Sequence, residues 1–286
     1  MKILVTGGSG FIGSQVVDKL VVAGHDVRIL DVKPPQRNDL EFVQGSFVDQ
    51  AVVEKTLQGI EVIYHIGGFS NIDLAKANPV EVIRLNVLGT TYLLDAARKN
   101  GIRRFIFASS VYVHDEKGHL YTTSKLAAEM LCKNFSLLYG LPYTILRYGT
   151  VYGPRSRQAD VISLFVAKAL KGEELIIHGS GQQRRNFIYV EDLAFGSVAA
   201  LQSVAENKTY VLAGKSSVAI KELAELIKKI FKSEPVIKFL ADTPRNDDYS
   251  GEIKGLDLAF QELNWLPQVG LDEGIRKYCE WLGKSR

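Results

Sequence analysis

The 286-residue chain has only two cysteines, Cys132 and Cys279, which lie far apart in the sequence. Two cysteines are too few for a disulfide framework or a zinc site, so we expect two buried thiols, a reducing compartment and no metal. No apolar run is long enough to span a membrane. A strand-like run begins at residue 2, which leaves no room for a signal peptide. These absences favour a cytoplasmic location and no membrane partner.

The chain also lacks a strong excess of either charge. Its 35 Lys and Arg against 32 Asp and Glu give a formal net charge of +3. No block of basic residues interleaved with aromatic residues is present, which argues against a nucleic-acid partner. Repeats, low-complexity segments and Pro-rich linkers are absent as well. The length and composition are typical of a globular protein with one large or two unequal domains.

A glycine-rich turn stands near the start of the chain, in the sequence KILVTGGSGFIG at residues 2–13. The apolar run at residues 3–5 predicts a buried parallel strand. Apolar residues then recur at helical spacing, which predicts a helix after the turn. Gly7, Gly10 and Gly13 between these elements would allow a tight turn, close approach of a pyrophosphate and packing of the helix on the strand. The alternative is an ordinary turn.

Asp31 ends a second predicted strand at residues 25–30. A dinucleotide-binding fold has an acidic residue near this point that binds the adenosine ribose. A carboxylate would accept hydrogen bonds from the ribose hydroxyls and would repel a 2′-phosphate, which favours NAD over NADP. Lys33 and Arg37 weaken this preference slightly, and the alternative is a solvated aspartate.

Strands and helices alternate along the first half of the chain. Further strands are predicted at residues 40–45, 61–66, 104–108 and 143–147, and helices at 50–57, 79–100 and 121–139. This alternation predicts an α/β fold with a doubly wound parallel sheet, the Rossmann arrangement. We expect a NAD-binding domain at residues 1–154, to which elements near 186–213 return. Residues 155–286 are expected to form mainly a smaller α/β substrate domain.

Tyr121 and Lys125 lie four residues apart in the sequence YTTSK, which places both side chains on one face of a helix. A phenol is a poor base at neutral pH, but a nearby ammonium and a positively charged nicotinamide ring both lower its pKa. Tyr121 could then take the proton of a substrate hydroxyl while hydride leaves the adjacent carbon. Ser110, at the end of a predicted strand, could bind the same oxygen. Alone, this spacing usually marks a helix surface.

The motifs TGGSGFIG, Asp31, NVLGT, ASS and YTTSK, in this order, resemble an extended short-chain dehydrogenase/reductase. More narrowly they resemble the NAD-dependent sugar epimerase/dehydratase family. The resemblance continues through RYGTVYGPR at residues 147–155, GSGQQRRNFIYVEDLA at 179–194 and LNWLPQVGLDEGIRKYCEWL at 263–282. It therefore covers nearly the whole chain.

The resemblance implies a role for each matching residue. Catalysis would fall to Ser110, Tyr121 and Lys125. The cofactor NAD would contact Tyr121, Lys125 and the residues Gly7, Gly10, Phe11, Ile12, Gly13, Asp31, Gly67, Gly68 and Asn86, of which Asn86 would support the active-site end of the sheet. The nucleotide-sugar substrate would contact Ser110, Thr150, Arg185 and Arg245. The alternative for either arginine is a surface salt bridge.

Four positions depart from the family pattern. Ser46 stands where many relatives have an Asp that touches adenine, and Thr150 stands where many have an Asn. VYVHD follows Ser110 where a Val-Tyr-Gly ending is usual. Only ten residues separate Ser110 from Tyr121, where many members carry a longer loop over the sugar. We expect the short connection to leave the site more open.

The residues after Ser110 bear on the reaction. Family dehydratases carry an Asp-Glu pair there and decarboxylases a Glu, whereas Val111 and Tyr112 cannot transfer a proton at neutral pH. His114, Asp115, Glu116 and His119 are interpreted as loop residues. The expected activity is a UDP-hexose 4-epimerase of the UDP-glucose/UDP-galactose type, acting through a transient 4-keto sugar. The alternatives are a NAD-dependent sugar or small-alcohol dehydrogenase/reductase and a non-catalytic NAD-sensing protein.

By resemblance alone, two copies of the chain would form a homodimer through helices 79–100 and 121–139.

Overall fold

Strands and helices alternate through the computed structural model, which describes residues 1–114, 119–231, 235–240, 253 and 255–284. The elements of the first half are β1 Lys2–Thr6, α1 Phe11–Val22, β2 Asp26–Asp31, β3 Glu41–Gln44, α2 Gln50–Thr56, β4 Val62–His65, α3 Ile72–Ala75, α4 Pro79–Ile83, α5 Thr90–Lys99, β5 Arg104–Ser110, α6 Leu120–Tyr139 and β6 Tyr143–Tyr148. A π-helical turn at Arg84–Gly89 joins α4 to α5.

The second half contains shorter strands. Its elements are β7 Thr150–Tyr152, α7 Val161–Leu170, β8 Leu175–His178, β9 Arg184–Arg185, β10 Phe187–Tyr189, α8 Val190–Ala199, β11 Lys208–Leu212, β12 Val218–Ala219, α9 Ile220–Ile230, β13 Ile237–Leu240, α10 Leu256–Leu263 and α11 Leu271–Lys284. Single turns of 3₁₀ helix occur at Val111–His114 and Ser203–Ala205.

The main sheet has seven strands in the order β3-β2-β1-β4-β5-β6-β11, and every neighbouring pair is parallel. The strand order reverses between β1 and β4, so the carboxyl ends of these two strands flank a crevice, where doubly wound folds bind ligands. The predicted doubly wound parallel sheet is confirmed. Strand β11 joins its edge from the second half of the chain.

Two hydrophobic cores cover the two faces of this sheet. In β1, Ile3 and Val5 face the core under α1, α8 and α10, whereas Leu4 faces the core under α2, α5 and α6. Burial on both faces explains the continuous apolar run at the start of the chain. A third core lies among β7, β8, β10, α7, α9 and α11. The division into domains at residues 154 and 155 stays a prediction.

The helix predicted at 79–100 is not a regular α-helix. Its middle turn, Arg84–Gly89, is π-helical, whereas the sequence predicted one helix over residues 79–100. Asn86 in this turn is nearly fully buried and bonds to the loop after β4. A π turn often marks a functional site, because it shifts one side chain relative to the regular spacing.

Helix α6 begins one residue before the predicted start and ends where predicted. His119 caps its N-terminus by accepting a hydrogen bond from the backbone of Thr122. Gly140 ends it in the left-handed conformation, with φ of 66°, which glycine adopts without strain. No helix among the described residues is long and apolar enough to cross a membrane.

Candidate active site

The glycine-rich turn lies between β1 and the N-terminus of α1. The backbone N–H of Gly7 donates to the carbonyl of Leu30, which ties the turn to β2. A Cβ at Gly13 would lie 2.0 Å from the carbonyl oxygen of Gly7, so only glycine allows the helix to start this close to the turn. The free N–H groups at the start of α1 are available to an anion.

A cavity of about 840 Å³ opens beside this turn. Most of the predicted site residues line it: Gly7, Gly10, Phe11, Ile12, Gly13, Asp31, Gly67, Gly68, Ser110, Tyr121, Lys125, Thr150 and Arg185. The cavity thus extends from the glycine turn to the end of β5 and on to the second half of the chain. Its volume is within the range of small-molecule and cofactor sites.

Asp31 lies in the cavity wall at the end of β2. Its carboxylate accepts hydrogen bonds from the backbone N–H groups of Ser9, at 3.0 Å, and Lys33, at 3.1 Å. Arg37, which could have favoured a 2′-phosphate, forms ion pairs with Asp39 and Asp18. Because the Arg37 guanidinium is paired with these two carboxylates, Arg37 gives little reason to expect that the protein binds NADP.

Asn86 is not among the residues that line the cavity. Its Oδ1 accepts from the backbone N–H of Phe69 at 2.7 Å, and its Nδ2 donates to the carbonyl of Phe69 and to Oγ of Ser124. The side chain therefore joins the loop after β4 to α6 from behind the cavity wall. These bonds agree with the expected supporting role, and the assignment of Asn86 to the cofactor site stays a prediction.

Ser110, Tyr121 and Lys125 all line this cavity. Burial raises the pKa of the Tyr121 phenol to about 12, and a hydrogen bond from Ser110 and the charge of Arg157 act in the opposite direction. The sequence led us to expect that Lys125 lowers this pKa. The ammonium instead donates to the carbonyl oxygen of Ala108, with Nζ at 2.8 Å. Tyr121 therefore holds its proton firmly in this arrangement.

Lys125 is buried, and burial lowers its pKa to about 8. Its ammonium also lies 4.8 Å from the centre of the Phe107 ring. The side chain thus has one strong hydrogen-bond acceptor and one aromatic neighbour. A lysine with this pKa is largely charged at neutral pH and becomes neutral in mildly alkaline solution.

The second half of the chain supplies basic residues to the far wall of the cavity. Arg185 lies in β9, and its guanidinium is 5.8 Å from the centre of the Tyr112 ring. The neighbouring Arg184 instead bonds to Ser217 and Glu222. Thr150 lies at the start of β7. The predicted Arg245 lies outside the described residues, as do residues 115–118 of the short connection after Ser110.

His119 and Arg157 are among the cavity residues that were not predicted as site residues. His119, interpreted from sequence as a loop residue, lies with its ring centre 6.3 Å from that of Tyr121. Arg157 also lines the cavity and bridges Ser70 and Asp160. For His119, the sequence signal was its position two residues before Tyr121, where a helix cap is needed. Nothing in the sequence of the 153–160 loop indicated that Arg157 faces the cavity.

The residues around the glycine turn fit a dinucleotide. A Cβ at Gly13 would close the turn, the start of α1 offers free N–H groups, and the Asp31 carboxylate suits two ribose hydroxyls. Gly7, Gly10 and Gly13 would hold the pyrophosphate, and Tyr121 and Lys125 line the same cavity. This is the arrangement expected of a NAD site.

A model of the NAD-dependent epimerase/dehydratase family matches residues 3–213. The chain belongs to this family. The family is NAD-dependent, so the predictions of the family, of the Rossmann-type fold and of NAD as the cofactor are confirmed.

Curated relatives within the family differ in their reactions. A putative UDP-glucose 4-epimerase of Methanocaldococcus jannaschii is 35% identical, with 98% of each chain covered. UDP-glucuronic acid decarboxylase 1 of Xenopus tropicalis is 31% identical over 99% of this chain and 72% of its own. Family membership therefore identifies the class of enzyme and leaves the individual reaction open.

Solved structures resemble the whole chain. UDP-glucose 4-epimerase of Thermotoga maritima with UDP-glucose is 30% identical, with a TM-score of 0.91 and coverage of 100% of this chain and 99% of its own. UDP-glucuronic acid 4-epimerase of Bacillus cereus, with UDP-glucuronic acid and NAD, is 26% identical, with a TM-score of 0.90 and full coverage of both chains. Both neighbours bind UDP-sugars.

Proposed function

We propose that this family member is a NAD-dependent nucleotide-sugar epimerase that acts at C4 of a UDP-hexose. The observation that carries the proposal is the continuity of the cavity. The glycine turn and Asp31 lie at one end, Ser110, Tyr121 and Lys125 in the middle, and Arg185 on the far wall. A dinucleotide and a sugar nucleotide could therefore meet at the tyrosine.

The chain's own residues would hold and move one proton. Bound NAD supplies reversible acceptance of a hydride from the sugar carbon. The Tyr121 hydroxyl would exchange a proton with the substrate oxygen, and Ser110, whose side chain lowers the pKa of that phenol, would position the same oxygen. The Lys125 ammonium, fixed on the Ala108 carbonyl, would add positive charge beside the developing phenolate.

The acidic residues of the cavity support a redox-neutral reaction. Among the described residues that line it, the carboxylates are Asp31, Glu81 and Asp160. Glu81 bonds to Arg84 at 2.7 Å, Asp160 pairs with Arg157, and Asp31 accepts from backbone N–H groups. None of the three is an unpaired acid–base group beside Tyr121. No described residue of the cavity is therefore placed to divert a keto sugar into dehydration or decarboxylation, which favours return of the hydride.

Arg185 would bind the nucleotide diphosphate. Its planar guanidinium lies in the cavity wall across from Tyr112, and an arginine fork matches phosphate oxygens. We propose that Thr150 contacts the same ligand and that Arg245 contributes a second cation. A free sugar has no group for these cations, so the substrate should carry a nucleoside diphosphate.

Arg157 favours a second candidate substrate, a UDP-hexuronate. It lines the cavity, and its charge is close enough to lower the pKa of Tyr121. A cation beside the reacting carbon would suit a sugar carboxylate, and one solved relative is a UDP-glucuronic acid 4-epimerase. Arg157→Gln should raise KM for UDP-glucuronate far more than for UDP-glucose if the uronate is the substrate. An equal effect on both would leave UDP-hexose as the better candidate.

One experiment separates the proposed reaction from its alternatives. The protein is incubated with UDP-, GDP- and TDP-sugars, with Tyr121→Phe as the control, and the products are resolved by chromatography. An epimerase interconverts a pair of sugars without net NADH. A dehydrogenase/reductase yields one oxidised product with equal NADH, and a NAD-sensing binding protein gives no product.

We further propose that two copies pair through α6 and the helical segment from α4 to α5. The α6 residues Leu126, Met130 and Leu137 follow helical spacing and are exposed, Leu137 by 82%. Val80 on α4 is 78% exposed as well. Such a face is costly in water and suits a self-complementary interface. Leu126→Lys with Met130→Lys should give a monomer by light scattering, whereas an unchanged mass would contradict this interface.

A further inference from the structure

Glu129 of α6 is a fully buried carboxylate whose oxygens are both bonded. Its Oε1 accepts from Oγ of Ser109 at 2.6 Å and from Nε of Arg147 at 2.9 Å. Its Oε2 accepts from Nη2 of Arg147 at 2.6 Å. A buried charge of this kind is costly unless every partner is in place, so the three groups form one rigid unit.

The partners of Glu129 lie at the carboxyl ends of two adjacent strands. Ser109 and Arg147 are paired residues of β5 and β6. Alternation along β5 directs Phe105, Phe107 and Ser109 to the face that α6 covers. The carboxylate therefore fixes α6 to the sheet where the apolar stripe ends and the cavity begins. Ser109 directly precedes Ser110.

Three contacts, one helical turn apart on α6, connect this helix to the last three residues of β5. Tyr121 lies close enough to the side chain of Ser110 for that hydroxyl to lower the pKa of the phenol. Lys125 donates to the carbonyl of Ala108 at 2.8 Å. Glu129 accepts from Ser109 and is the only one of the three helix residues that does not line the cavity. Among these contacts, the third is reinforced by an ion pair.

We propose that Glu129, through Ser109 and Arg147, is a positioning residue that holds Tyr121 and Lys125 in register with Ser110. The inference rests on the catalytic roles proposed for those three residues. Rotation or sliding of α6 by a fraction of a turn would separate the phenol from the serine. The ion pair with Arg147 opposes both movements because it bonds in two places to a strand of the central sheet.

The charge of Glu129 also acts on Lys125. Burial lowers the pKa of Lys125, and Cys132 and Glu129 raise it. His65 on β4 faces the ammonium as well, whereas Tyr143 and Arg147 on β6 face the Glu129 carboxylate. Tyr121 lies one turn before Lys125 on the same helix. Removing the Glu129 charge should lower the pKa of Lys125 further, so the ammonium would lose its proton at a lower pH.

The test compares Glu129→Gln with Glu206→Gln in the full-length protein. Glu206 pairs with Arg104 at the opposite end of β5, at 3.1 Å, far from the cavity. The pH titration of Lys125 is followed by NMR of protein labelled with 13C-lysine, and Lys125→Met assigns the signal. No sugar is needed for this measurement. The rate kcat and KM are measured on the UDP-sugar that the wild type converts.

Glu129→Gln should shift the Lys125 titration, which is centred near pH 8 in the wild type, to lower pH. It should also reduce kcat by about 10–100-fold with little change in KM, since misplacement by about 1 Å can cost about 100-fold. Glu206→Gln should leave both unchanged. An unshifted titration together with wild-type kcat overturns the inference.

Ser109→Ala keeps the ion pair and serves if Glu129→Gln does not fold. It should reduce kcat by about tenfold without moving the Lys125 titration, because it removes only the bond next to Ser110. Unchanged kcat in Ser109→Ala overturns the inference. If the wild type converts no UDP-sugar, the proposed function fails, and the Lys125 titration in Glu129→Gln still decides whether this carboxylate sets the charge of the lysine.

Discussion

Replacing Gly67 by alanine tests the packing beneath the cofactor site. A Cβ at Gly67 would lie 2.8 Å from Cε1 of Phe47 and 3.2 Å from the backbone nitrogen of Gly7. The φ angle of Gly67 is not in the left-handed region, so the cost comes from these contacts and not from the backbone. Gly67→Ala should therefore lower stability and weaken NAD binding together.

The size of the effect follows from how tightly the Phe47 ring is held. The opposite edge of the ring lies against Gly89, where a Cβ would be 2.6 Å from Cε2, and the His65 ring meets it at 5.0 Å between centres. The ring has little space to retreat. Overpacking of this kind costs about 1–3 kcal/mol, or about 2–5 °C in Tm for a chain of this size.

A second substitution provides the control. Phe47→Leu removes the ring edge, so Gly67→Ala with Phe47→Leu should recover most of the Tm lost by Gly67→Ala alone. Gly283→Ala, at an open position in α11, should be neutral or slightly stabilising. Thermal unfolding by circular dichroism and binding of NADH by fluorescence measure the two effects. The reasoning would be refuted if Gly67→Ala had the wild-type Tm, or if the double variant were no more stable than Gly67→Ala.

Three further predictions concern individual side chains of the cavity. Asp31→Ala should weaken NAD binding and reduce discrimination against NADP, and tighter binding of NADP than NAD by the wild type would contradict the role of Asp31. Arg185→Ala removes a charged hydrogen bond, which typically contributes about 1.5–3 kcal/mol, and should raise KM for a UDP-sugar by about tenfold or more. His119→Ser keeps a good helix cap, so Tm should be maintained. A rise in KM would then show that the imidazole contacts the substrate. Unchanged kinetics would show that it only caps α6.

Local patterns in the sequence predicted much of the fold. The glycine spacing, the strand ending at Asp31 and the four-residue spacing of Tyr121 and Lys125 are each determined within a few residues. A parallel sheet brings the carboxyl ends of its strands together, so these local features converge on one crevice. For this reason the cavity contains nearly every described residue that was expected to bind a ligand.

Features that depend on distant contacts could not be read from the sequence. The π turn at Arg84–Gly89 accompanies the contacts of Asn86 with Phe69 and Ser124, and no local pattern in NVLGT encodes them. The pairing of Glu129 with Arg147 joins residues 18 apart through the packing of a helix on a sheet. The pKa of Tyr121 was expected to be lowered by a neighbouring charge, and burial proved the larger influence.

Transfer of deuterium tests the central claim, that hydride leaves and returns to the same sugar carbon. UDP-glucose carrying deuterium at C4 is incubated with the protein and NAD in ordinary water, and the product is analysed by NMR while absorbance of NADH is followed. The proposed mechanism predicts UDP-galactose that retains deuterium at C4, with no accumulation of reduced cofactor. Loss of deuterium to the solvent, or stoichiometric reduced cofactor with a single oxidised sugar, would contradict it.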